Sequence, residues 1–142
     1  MLEVLNGPVI MAGESLSEAL DVRAGQLVRI TMPGEWTEAP LTFQFSTDGM
    51  FFNDMFGIDG FEVTVPVVVP GSGVIIPADV GRAMNYIKFR SGTRGNPVPQ
   101  EKETWFAIAV VTESVPEAPP ARSAAKKKAP SKKSAVKKKS KR

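Results

Sequence analysis

Four stretches of the chain alternate apolar and polar residues with a period of two, and that pattern constrains the fold more than any other feature. In "LVRITM" it sets Val28, Ile30 and Met32 against Leu27, Arg29 and Thr31. In "LTFQFS" it sets Leu41, Phe43 and Phe45 against Thr42, Gln44 and Ser46. "YIKFRS" alternates Ile87 and Phe89 with Tyr86, Lys88 and Arg90, and "WFAIAVV" offers Phe106, Ile108 and Val110 to one side. A period of two buries one face of a strand. "FEVTVPVVV" is a further β-branched run, but Pro66 cannot donate to a ladder, so an edge position or a bend is expected there. "GVII" reads as another short strand.

Helical signals are few. "GESLSEALDV" predicts about one turn, capped by Ser15 or Ser17, and "PADVGRAMNY" predicts a second short turn. Neither can form a helical layer. About eight short strands with turn signals every 8–12 residues predict an all-β, jelly-roll-like antiparallel β-sandwich.

Charge divides the chain in two. Residues 1–112 carry 7 Lys and Arg against 13 Asp and Glu, whereas residues 113–142 carry 11 against 2. An acidic β-sandwich domain, 1–112, is therefore expected to precede a flexible, Pro/Ala/Lys-rich basic tail, 113–142. There is no His and no Cys. That excludes Ser-His and Cys-His nucleophile systems, the common zinc sites and any disulfide framework. No catalytic residue, metal site or cofactor is assigned. No apolar run approaches the roughly 20 residues of a membrane helix. The N-terminal stretch has no basic region or clear cleavage site, so no signal peptide is expected.

Three stretches hold candidate binding residues. In "LTFQFSTDGMFFNDMF", Asp48-Gly49 is a strong turn pair. The plain reading is a hairpin whose aromatics fill the core. The sharper one is a rim presenting Asp48, Asn53 and Asp54 to a sugar or a cation. "IKFRSGTRGNPVPQ" places Lys88, Arg90 and Arg94 on and just after one strand. They form either a solvated face paired with the acidic body or a patch for carboxylates, which Arg grips with a planar fork. Arg90 can equally pair with Asp48 or Asp54 inside the fold. Trp36, in "MPGEWTEAPL", is either a packed plug or an exposed platform for a sugar ring or an interface.

"FSTDGMFFNDMF" followed by "NYIKFRSGT" resembles the discoidin or galactose-binding-like jelly roll. In that fold a strand ending Ser-x-Asp-Gly-x-x-aromatic is followed by one reading aromatic-Ile-Lys/Arg-aromatic-Arg. The wider ensemble runs from "SLSEALDVRAGQLVRITMPGEW" through "IKFRSGT" and "NPVPQ" to the last apolar strand. It resembles a family of small proteins encoded by tailed phages and prophages of α-proteobacteria, over about residues 8–112. The resemblance implies a virion component made in the host cytoplasm, such as a head decoration or fibre-like accessory protein. It would be non-enzymatic, homo-oligomeric, and docked to capsid or tail subunits.

The tail is not part of that family pattern. Its cations include Lys126, Lys127, Lys128, Lys132, Lys133, Lys137, Lys138, Lys139, Lys141 and Arg142. In composition it is similar to linker-histone tails. Such lysines bind phosphate without reading bases, and with no aromatic present, stacking on single strands is not expected. Nucleic acid, an acidic protein surface and an anionic envelope all fit the charge. Two other functions stay open: a carbohydrate-binding module for host glycans, and a nucleic-acid-associated protein acting through the tail.

Overall fold

A computed structural model describes residues 1–112. The readings made on the basic tail lie outside the described residues. Ten strands and one short helix follow in order: β1 Leu2–Ile10, β2 Leu20–Asp21, β3 Gln26–Thr31, β4 Leu41–Ser46, β5 Asn53–Asp54, β6 Thr64–Val65, β7 Gly73–Ile75, α1 Ala78–Arg82, β8 Tyr86–Thr93, β9 Asn96–Pro97 and β10 Thr104–Val111. They form two antiparallel sheets packed as a sandwich. One has the order β1-β10-β3-β7; the other runs β2-β8-β4-β5, with β6 also on β4 and β9 on β8. The first four strands alternate between the two sheets, a jelly-roll-like path.

The inward faces follow the alternation where the ladders are regular. Leu41 and Phe43 of β4, Ile87 and Phe89 of β8, and Phe106, Ile108 and Val110 of β10 are all buried. The aromatics meet edge to face: Phe43 to Phe89 at 5.5 Å, Phe89 to Phe106 at 4.9 Å, and Phe106 to Trp36 at 5.7 Å between centroids. Phe89 and Phe106 belong to opposite sheets, so this chain of rings crosses the sandwich. Edge-to-face pairs of this kind add about 0.5–1.5 kcal/mol beyond area burial.

β3 departs from the simple alternation. Its register on β10 shifts between Ala109 and Val110, so Val28 is the extra residue of a β-bulge. Leu27 and Ile30 both turn inward and are fully buried, whereas Val28 is half-exposed and its carbonyl accepts from the Ile76 amide at 3.0 Å. The expected partition of Val28 and Leu27 is thereby reversed. A bulge adds one residue to one strand and moves the phase of everything on one side of it.

The turn of helix expected in "GESLSEALDV" does not form. That stretch runs along β8 as an irregular strand. The Ser91 amide donates to the Ser15 carbonyl at 2.7 Å, and the Ser17 amide donates to the Phe89 carbonyl at 2.9 Å. The Phe89 amide in turn donates to Ser17 Oγ at 2.9 Å. A serine hydroxyl thus replaces a ladder acceptor, and pairing with β8 wins over a weak local helical preference. The second helix does form, as α1. It packs so closely on β3 that a Cβ on Gly81 would sit 2.1 Å from the Leu27 carbonyl oxygen. Pro66 ends β6, a two-residue strand on the open side of β4.

Candidate functional site: a clamped hairpin on the β4 edge

β4 and β5 form the expected hairpin, with Gln44 opposite Asp54 and Phe45 opposite Asn53. Its turn is built on Asp48. Oδ1 of that residue accepts from Ser46 Oγ at 3.0 Å and from the amides of Met50 and Phe51 at 2.9 and 3.1 Å. These donors, the Met50 amide foremost, hold the Asp48 carboxyl below the ordinary carboxylate range. Asp48 is thus engaged by its own turn.

The aromatics after the turn are not core residues, contrary to the plain reading. Phe51 is 73% exposed and Phe56 is exposed, while Phe52 is half-buried under the Lys88 ammonium, 4.5 Å from its ring centre. The cause is the path of the chain. After β5 it leaves the sheet, with the Val63 amide donating to the Met55 carbonyl at 2.9 Å and Phe56 bridged to Glu62. It returns to the same edge of β4 as β6. Residues 55–63 are therefore a second, protruding hairpin. Its far end carries Ile58, fully exposed, and Phe61, 74% exposed.

Charged groups clamp the base of this protrusion. Arg90, on β8, is buried. Its Nε donates to Thr42 Oγ1 at 3.0 Å, one terminal nitrogen to Asp54 Oδ1 at 2.7 Å, and the other to Glu62 Oε2. Arg94 closes the far side: its Nε donates to Asp54 Oδ2 at 2.9 Å and its amide to Glu62 Oε1 at 3.1 Å. Gln44 Nε2 adds a bond to Asp54 Oδ1 at 3.2 Å. Burial pushes the Asp54 carboxyl up, but the bonds from Arg90, Gln44 and Arg94 outweigh it and hold the group below its ordinary range. Thr42 completes the set by donating to the Gly92 carbonyl at 2.7 Å. Gly92 has φ +92°, and a Cβ there would approach the Asn96 carbonyl oxygen to 2.4 Å, so the turn into β9 requires glycine.

Of the residues singled out in the sequence, Asp54, Arg90 and Arg94 come together, and Asp54 rather than Asp48 is the partner of Arg90. Lys88 lies over Phe52, and Asn53 is exposed on β5. Trp36 lies in the core, 4% exposed, with Nε1 donating to the Ala39 carbonyl at 3.3 Å, so it offers no platform to a ligand. Sequence reading missed Glu62, Thr42 and Gln44. It also missed Gln100, which is fully buried and bonded to Thr37, Ser91 and Thr104. A glutamine with so many buried partners carries no local signature.

A cavity of about 240 Å³ lies between the hairpin base and α1, lined by Phe45, Met55, Phe56, Gly57, Val63, Asp79, Val80 and Ala83. Among the described residues no three His, Cys, Asp or Glu side chains are grouped to hold a metal ion. Among them, too, no helix is long and apolar enough to cross a membrane. In the clamp, two guanidinium groups balance two carboxylates, and each carboxylate oxygen accepts at least one hydrogen bond. Such an arrangement fixes a loop to a sheet. No family model, no curated protein and no solved structure matches this chain.

Proposed function

We propose that this protein is a non-enzymatic accessory component of a tailed-phage virion, a head decoration or fibre-like piece that docks to other virion subunits. The virion setting rests on the resemblance of residues 8–112 to small phage and prophage proteins. The docking role is supported by one observation above all: an apolar hairpin tip held out from the sandwich on a base that four charged side chains make rigid. Large apolar side chains exposed together mark surfaces that meet a partner. A tip whose base is already ordered loses less entropy on binding. Many copies on a lattice would make weak single contacts effective. The lysine-rich tail adds electrostatic attachment.

The test is mass spectrometry and imaging of purified virions. The protein is expected in them, at fixed copy number. The double variant Ile58→Ser/Phe61→Ser is expected to keep the melting temperature of the wild type and to lose at least about tenfold in virion occupancy, since burying each side chain contributes about 1.5–3 kcal/mol. Virions that lack the protein would end this reading. The tail has its own measurement. In gel shifts with duplex DNA, the full chain is expected to bind without sequence preference, with affinity falling steeply as salt rises. A chain lacking 113–142 is expected not to bind. Unchanged affinity after that deletion would rule out the tail as the contact.

A further inference from the structure

Among the described residues, the first half of β1 is an open sheet edge: β1 ends its sheet and pairs with β10 alone there. Met1 and Thr112 exchange both backbone bonds, each at 2.9 Å. Bonded and non-bonded pairs alternate along an antiparallel ladder. Glu3 with Val110 and Leu5 with Ile108 are therefore bonded pairs. Leu2, Val4 and Asn6 turn their N–H and C=O groups away from β10, toward the open side. The edge closes only at Val9, whose carbonyl accepts from the Glu18 amide.

Of the usual guards against pairing, residues 2–6 carry one, the charge of Glu3 on the inner face opposite Val110, and a register shift between Asn6 and Val9 lies at their end. Residues 2–6 contain no Lys, Arg or Pro, and Glu3 is their one charge. Leu2 and Val4 are 53% and 58% exposed. Their side chains share the outer sheet face with Ala107, Ala109 and Val111, because Phe106, Ile108 and Val110 point into the core.

We propose that this edge pairs with the same edge of a second copy, antiparallel about a two-fold axis at Val4. Val4 then faces its own counterpart, and Leu2 faces the counterpart of Asn6. Glu3 falls opposite the counterpart of Leu5, so no like charges are directly opposed. The open N–H and C=O groups of Leu2, Val4 and Asn6 are all satisfied, and two four-stranded sheets become one continuous sheet. The contact is self-complementary and closes on itself, as a two-fold interface must. It depends only on β1 and β10, and stands whether or not the virion reading holds.

The experiment is sedimentation equilibrium of the full chain over roughly 1 to 500 µM, a range suited to a pairing smaller than the standard interface. The mass is expected to rise from one chain to two. Val4→Pro removes an N–H that β10 does not use, and Val4→Lys sets two like charges together on the axis. Both are expected to stay single-chain at the highest concentration with unchanged circular dichroism. The chain has no cysteine, so Val4→Cys is a clean probe. Bonded antiparallel partners lie about 5.5 Å apart at Cα, within disulfide reach. Mild oxidation is expected to link Val4→Cys into a dimer and to leave Ile58→Cys unlinked. Should Val4→Pro fail to fold, the lysine and cysteine variants decide. A wild-type mass of one chain throughout overturns the proposal, as does a dimer that survives Val4→Lys, or a Val4→Cys that links no faster than Ile58→Cys.

Discussion

Replacing Arg90 with alanine is expected to cost about 3–5 kcal/mol, because it leaves two largely buried carboxylates without their shared cation. Asp54 and Glu62 retain only 20% and 11% of their side-chain exposure, so solvent screens them little. For a domain of this size the melting temperature should fall by roughly 4–8 °C per kcal/mol. The dependence on pH identifies the cause. In the wild type the Asp54 carboxyl lies below its ordinary value of 3.8, so its contribution is complete above that value and is lost as pH falls through the lower folded one. In Arg90→Ala, burial remains and only the Arg94 and Gln44 bonds are left to oppose it, so the same carboxyl lies higher than in the wild type and the variant loses less stability as pH falls. Melting curves taken from neutral pH down to below the ordinary value of 3.8 should therefore show the gap between wild type and variant narrowing. A constant gap would mean that Arg90 acts through packing alone.

Phe89→Ala should cost about as much, roughly 3–5 kcal/mol, by a different mechanism. Phe89 is fully buried and meets Phe43 within its own sheet and Phe106 across the sandwich. Its removal opens a cavity where the two sheets join and deletes two ring contacts at once. With total stabilities of about 5–15 kcal/mol for domains of this kind, the variant should unfold at far lower urea concentration, or be unfolded without any. The buried Trp36, packed on Phe106, provides a fluorescence signal for the measurement. By contrast, Phe61→Ala should leave the urea midpoint unchanged, because that ring already lies in solvent. Equal losses from the two substitutions would contradict the division between core and hairpin.

The regular strands were legible in the sequence because a half-buried strand writes its two faces directly into alternating residues. β4, β8 and β10 show this, and the short helix after Pro77 was legible from its own start signal. The bulge in β3 was not legible. Its extra residue is a valine among other good strand formers, and only the register on β10 shows which residue is additional. Residues 14–22 misled because their backbone bonds go to β8, some 70 positions away along the chain. The clamp was half visible. Arg90, Arg94 and Asp54 stood out as charges beside strands, but nothing around Glu62 in "FEVTV" marks it as their partner. The exposed aromatics ran against the rule that rings go inside, and nothing nearby in the sequence marks where the chain leaves its sheet.

The excursion at 55–63 departs from β4 and rejoins it on the same side, so its two ends are held by one strand. Changing its length would therefore shift no register in either sheet. The entropic penalty is also small, since doubling a loop costs only about 0.6 kcal/mol. The site is a natural place for grafting. A peptide epitope or affinity tag inserted between Ile58 and Gly60 would be carried on a scaffold whose interior is indifferent to it.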